Sequence, residues 1–233
     1  INAYKKDKST IKKTAINVID AVNKYNKLEK TKNELNLNIL DEALVEIKNN
    51  YDTMNGGFGT RPKFFNIETL MFLLELYYED KDKDIWEIID TTLKNMVKGG
   101  IYDHIGNGFH RYSVDEAWMI PHFEKMLSDN VALLSLYLRA YQISKDEFFK
   151  DIAKDLINFL IREMYDDGFY TSIDADSDDE EGIYFTWTKK EIDDILKEDA
   201  KVFNLYYGID EIGNFEHGKC VLNIRSDVKD IAD

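Results

Sequence analysis

Four glycine-aromatic segments divide this chain into pairs of helix-forming stretches, and that punctuation limits its fold more than any other feature. They are GGFGTRPKF (56–64), GGIYDHIGNGFHRY (99–112), DGFYTSIDAD (167–176) and GNFEHGKCVL (213–222). Their intervals are uneven, roughly 40 to 70 residues. Glycine permits tight turns and positive φ, and the aromatic beside it can pack back on the helix ends. A degenerate repeat of helical hairpins, each with one such loop, is what a closed helical array requires.

The stretches between the loops carry helical periodicity. Ile11, Ala15, Val18, Ile19 and Val22 fall on one face, with Ser9 or Thr10 as the cap. Leu37, Leu40, Leu44 and Ile47 repeat the pattern. NIETLMFLLELYYED (66–80) is apolar almost all round, which suits a helix buried on most sides. A helix over 83–98 stops at Gly99. The longest helix is expected to start near Pro121 and to run to Ser144, paired with 146–167. The period then changes: GFYTSIDADSDDEEGIYFTWT (168–188) reads as a β-hairpin around an acidic loop. Short helices over 189–196 and 199–208 follow. The residues alone point to an all-α array of helical hairpins, closed or in a looser α-solenoid, with a short β-hairpin insertion.

At 233 residues with 44% apolar and 13% aromatic side chains, the chain can bury one sizeable core. Two prolines and the lack of a Pro/Gly/Ser linker favour one domain over 1–233. A net charge of −15 repels phosphate backbones and anionic lipid, so nucleic-acid and membrane-surface roles are not expected. No apolar run approaches the ~18–20 residues of a membrane span. The one cysteine, Cys220, excludes an internal disulfide and a multi-cysteine zinc cluster, and fits a cytoplasmic setting. The start at Ile1 and the close on SDVKDIAD read as those of a piece of a longer protein.

The chemistry concentrates between Gly99 and Asn130. Three of the four histidines, His104, His110 and His122, lie there with Arg111, Asp115 and Glu124. Imidazole titrates near neutrality, so these are candidate proton shuttles. Their spacing matches no metal motif, and neither a metal nor a cofactor is expected. With a helix from Pro121, His122, Lys125 and Asp129 share a stripe ahead of apolar turns, a pattern that suits a cavity wall. Tyr112 and Trp118, with Tyr102 and Phe109, are candidates for stacking on a sugar ring, or core residues. Asp174 and Asp176 alternate with small residues and face one side in an extended chain. With Glu181 they offer the carboxylates that glycoside hydrolysis uses. Arg61 and Lys63 add groups for an anionic or hydroxyl-rich ligand.

These segments, with HRYSVDEAWMIPHFEKMLSDN in the second, resemble the motif blocks of the thioredoxin-domain-containing proteins of the YyaL and spermatogenesis-associated type. The likeness runs from about Leu37 to Asn223. It implies an (α/α)₆ toroid similar to N-acylglucosamine and cellobiose 2-epimerases and to six-hairpin glycosidases. It also implies a thioredoxin-like domain, which this chain lacks and which would be its partner. Related epimerases move a sugar C2 proton with histidines. The first expectation is therefore a sugar isomerase or epimerase with His110 or His122 as base and Arg111 on the enediolate oxygen. The alternatives are a glycosidase-like hydrolase using Asp115, Asp174 or Asp176, and a non-catalytic scaffold for the thioredoxin-like domain. An incomplete ring would expose inner helices such as Asn66–Glu79 and favour self-association.

Overall fold

A computed structural model describes residues 7–25, 36, 38–226 and 228–231. By contacts the chain falls into two units, 1–43 and 44–233. In the first unit, helix α1 (Lys8–Tyr25) is led in by Asp7, whose carboxylate accepts from the Thr10 amide at 3.1 Å. Asp7 thus takes the capping role expected of Ser9 or Thr10. The apolar stripe of α1 is exposed at Val18, Ile19 and Val22. Helix α2 (Asn38–Asn50) includes Leu44 and Ile47, which belong to the second unit and pack on its core. Leu37 lies outside the described residues.

The second unit is built from helical hairpins. Helices α3 (Ile67–Asp80) and α4 (Lys83–Lys98) form one, and α5 (Leu127–Ser144) and α6 (Glu147–Glu163) form another. Both hairpins turn in the same way. A lysine in the left-handed region, Lys81 or Lys145, ends the first helix, and an aspartate caps the second. Asp82 accepts from the Asp84 amide and Asp146 from the Phe148 amide. The second helix of each pair is amphipathic, burying Ile85, Ile89, Leu93 and Met96 in α4 and Phe149, Ile152, Leu156 and Phe159 in α6. Helices α7 (Lys189–Leu196), α8 (Ala200–Tyr207) and the short α9 (Val228–Ile231) follow, with a Thr188–Glu191 capping box on α7.

The loops between hairpins repeat as well. Tyr51 bridges Phe58, Tyr102 bridges Phe109 and Tyr165 bridges Phe169. In the first two, the aspartate after the tyrosine folds its carboxylate onto two amides ahead of the glycines, Asp52 on Met54 and Asn55, Asp103 on Ile105 and Gly106. Gly57 shows why glycine is needed: at φ +78° a Cβ there would stand 2.5 Å from the Trp118 ring. Trp118 is fully buried at one end of an aromatic chain. Phe65 stacks on it at 6.4 Å, Phe109 meets Phe65 edge-on at 5.8 Å, and Tyr137 stacks on Phe109 at 5.7 Å.

Two expectations are corrected here. The long helix begins at Leu127, because 121–126 are extended. Strand β1 (Tyr112–Ser113) pairs with β2 (Pro121–His122), and β3 (Lys125–Met126) pairs with β4 (Ser172–Ile173). His122, Lys125 and Asp129 therefore share no helical stripe. The hairpin expected over 168–188 is also smaller. Strands β5 (Asp176–Ser177) and β6 (Glu180–Glu181) pair around Asp178 and Asp179, both at positive φ as a tight two-residue turn demands. Ile183–Phe185 is a 3₁₀ turn, and Trp187 bridges Cys220.

Candidate functional site

The β1–β2 pairing brings Arg111, Tyr112, His122 and Glu124 together, and Glu181 joins them from β6. The Arg111 amide donates to the Glu124 carbonyl at 2.8 Å, and its guanidinium Nη1 donates to Glu124 Oε2 at 2.9 Å. His122, opposite Tyr112 in the register, stacks on its ring at 5.0 Å with the planes 24° apart. Phe64 also packs on Tyr112, its ring tilted 35° at 4.9 Å. His122 Nδ1 lies 2.7 Å from Glu181 Oε1, and its Nε2 lies 3.6 Å from Glu124 Oε2. Glu181 also accepts from the Phe123 amide at 3.2 Å, which fixes the carboxylate against the strand. Asp129, in the first turn of α5, is half-buried; burial raises its carboxyl above the usual range, and the Arg111 charge opposes that rise.

This arrangement has a clear chemical use. A carboxylate on Nδ1 holds the imidazole as the Nδ1–H tautomer and leaves Nε2 to accept a proton. Arg111 pairs with Glu124, the carboxylate that faces Nε2. The His122 side chain is 27% exposed, so the ring meets solvent.

Other expected residues are placed elsewhere. Lys63 is completely buried; its ammonium donates to Asp52 at 2.6 Å and to the Glu116 carbonyl at 2.8 Å, beneath the Trp118 ring. Trp118 offers no face to a sugar, and its indole N–H donates to the Asn55 carbonyl. Asp115 is consumed by the turn that follows it, accepting from the amides of Ala117, Met119 and Ile120. Lys63 and Trp118 are buried with their donors turned onto Asp52, Glu116 and Asn55, and the half-buried Asp115 carboxylate receives three loop amides, so the polar groups of all three are engaged in holding the loops. Arg61 is exposed. Asp174 and Asp176 are exposed beside a recess of about 290 Å³, and Asp174 accepts from the Asp176 amide. Among the described residues, no three His, Cys, Asp or Glu side chains converge as metal ligands would.

His104 and His110 turn away from the cluster into the interior. His104 Nε2 meets the Gly99 carbonyl at 3.0 Å, and burial lowers its pKa. His110 Nδ1 donates to the Phe123 carbonyl at 2.8 Å. Burial, helped by the Lys125 charge and opposed by Asp103, pushes His110 down to about 3. Folded His110 is neutral while unfolded His110 takes a proton below about 6.5. The unfolded state then binds more protons, so stability falls as pH drops from about 6.5 towards about 3, by up to about 1.4 kcal/mol per pH unit. His104 adds to the same slope. Thermal melts between pH 7.5 and 4.5 test this: the fall should begin before any ordinary carboxylate titrates, and His110→Phe should flatten it. A native profile level down to pH 4.5 would contradict it.

Sequence reasoning missed two buried pairs, Lys63–Asp52 and Lys125–Asp103. Lys125 Nζ donates to Asp103 Oδ2 at 2.7 Å and to the Asn107 carbonyl at 2.8 Å. Their signal was the repeated Tyr-Asp…Gly-Phe loop, in which Asp103 stands where Asp52 stands on Lys63.

The helical hairpins and their loops have known counterparts. A sugar epimerase from a ruminal bacterium superposes with a TM-score of 0.52 at 14% identity, over 66% of this chain and 46% of that one. Cellobiose 2-epimerase from Bacillus thermoamylovorans superposes with a TM-score of 0.51 at 11% identity, over 77% and 56%. Both likenesses concern the fold, which is an (α/α) toroid. No protein-family model matches the chain. Spermatogenesis-associated protein 20 of Mus musculus is 37% identical over 211 residues, which is 77% of this chain and 27% of that protein. The Homo sapiens protein of the same name is 36% identical over 196 residues, 75% and 25%. The chain thus spans about a quarter of the length of these relatives, and with this identity carried over toroid hairpins it belongs to the spermatogenesis-associated protein 20 family.

Proposed function

We propose that the chain forms part of a sugar-binding acid–base site of the epimerase or isomerase type, with His122 as its base. The observation that carries this reading is the His122 ring, stacked on Tyr112 and held by Glu181, with Arg111 and Glu124 on its other side. The epimerase structures of like fold support the substrate class. His122 Nε2 would take the C2 proton of an open-chain aldose. The C–H electron pair forms the C1=C2 bond, the carbonyl π pair moves onto oxygen, and the enediolate oxygen so formed lies beside the Arg111 guanidinium. Return of a proton to C2 completes the exchange with no net redox change. Of the two bases expected, His122 is favoured over His110, which is 2% exposed and held neutral. Hydrolysis by Asp174 and Asp176 is less well supported, because Asp174 already serves the Asp176 amide.

The test is solvent deuterium wash-in at C2 of a panel of mono- and disaccharides, followed by proton NMR. Wash-in should occur with the native chain and fall by at least about 100-fold in His122→Gln, general-base removal having that scale. Far-ultraviolet circular dichroism should stay unchanged, since the ring is partly exposed. Absence of exchange with every sugar, or equal exchange in His122→Gln, rejects the reading.

A further inference from the structure

The histidines that the His122 cluster does not use lie on a different space. His104 and His110 line a cavity of about 380 Å³, within the size range of small-molecule pockets. Its other walls are mostly apolar, with Phe123, Phe185, Trp187, Val221 and Leu222, and the exposed Tyr184 stands at its edge. The His110 ring meets Phe185 edge-on at 4.8 Å and Phe123 edge-on at 5.3 Å.

The polar groups of this cavity are nearly all committed. Tyr102 donates towards Asn107 and Asp155. Asp103 is neutralised by Lys125, and His104 is held on the Gly99 carbonyl. His110 differs. Its Nδ1–H is spent on the Phe123 carbonyl, so Nε2 carries a lone pair, and among the described residues no hydrogen bond reaches it. The ring is 2% exposed. An acceptor on the wall of a cavity lined largely by aromatic rings selects a donor on a flat apolar body. A charged ligand would find no unpaired counter-charge there. A sugar would bring many hydroxyls to a wall that offers one acceptor.

We infer that this cavity is a second ligand site, separate from the proposed sugar site, for a small neutral molecule of the phenol or indole class. Its aromatic body lies among Phe123, Phe185 and Trp187, and its O–H or N–H donates to His110 Nε2.

Phenol, and toluene as the partner without a donor, are the probes. Binding is followed by long-range proton–nitrogen NMR of the histidine rings and by tryptophan emission. Phenol should shift His110 Nε2 and leave His122 unmoved, and toluene should bind without that shift. His110→Phe should weaken phenol about tenfold, the scale of one hydrogen bond, and leave toluene unchanged. Tyr184→Ala, a change at an exposed side chain, should weaken both probes and serves if His110→Phe does not fold. No response of His110 to phenol up to its solubility limit overturns the inference. So does phenol binding that neither variant alters. Glucose moving the His110 signals where phenol does not would also overturn it, and would join the cavity to the sugar site. Failure of deuterium wash-in leaves these outcomes untouched, so the two proposals stand or fall separately.

Discussion

Replacing Asp103 with alanine should lower the stability of the fold by about 3–5 kcal/mol, the cost of leaving a buried charge without its partner. The Lys125 side chain is 2% exposed, and its ammonium sits over the Phe159 and Phe185 rings at 4.8 and 4.9 Å. Without Asp103 it keeps, among the described residues, only the Asn107 carbonyl as a hydrogen-bond acceptor. The loop loses more than the charge, because Asp103 Oδ1 accepts from the amides of Ile105 and Gly106. Burial pushes the Asp103 carboxyl up, but Lys125 and the Gly106 amide outweigh it and hold it below the usual range. That contribution is present above a pH of about 4 and is lost as acid protonates the folded carboxyl. Urea denaturation at pH 7 measures the loss. Adding Lys125→Met should recover most of it, since removing both charges costs far less than removing one. A single variant within about 1 kcal/mol of the native chain would show that the lysine reaches water.

Trp118→Ala should cost about 3–5 kcal/mol as well, as large aromatic truncations in a packed core do. The ring is completely buried, stacked on Phe65, and its N–H satisfies the Asn55 carbonyl. The glycine loops are built around it: a Cβ on Gly57 would meet its ring, and one on Gly99 would meet its carbonyl oxygen. Trp118 itself lies at φ 64°, a strain alanine would share, so the substitution relieves nothing. Equilibrium unfolding gives the cost. Sugar binding under folding conditions should survive in any molecules that fold. A loss below about 1 kcal/mol together with lost sugar binding would return Trp118 to a ligand-stacking role.

Much of the scaffold was legible in the chain itself. The stripes over 83–98 and 147–163 are local patterns, and burying an apolar face needs only that some partner exist. The glycine-aromatic loops announced the hairpin repeat because tight turns demand particular residues wherever they occur. The candidate cluster was legible in membership more than in arrangement. Arg111, Tyr112, His122, Glu124, Asp129 and Glu181 were all candidates, and they do assemble. The reason they meet was hidden: Tyr112 faces His122 across a strand pair, and Glu181 arrives from a segment 59 residues further on.

Residues with one local signature were sorted only by the folded protein. Lys63, Trp118 and Asp115 read from sequence like a pocket wall, since a charge or an aromatic beside glycines suits a ligand or a loop equally. Burial and hydrogen bonding assign them to the loops. The same holds for 121–126, whose proline and following apolar residues suited a helix start until pairing with 112–113 and 172–173 drew them straight. Local periodicity and turn chemistry determined the hairpins, because each depends on residues within a few positions. Strand pairing, the buried Lys125–Asp103 pair and the separation of His110 from His122 were decided by tertiary structure, because each depends on groups far apart in sequence meeting in a space from which water is excluded.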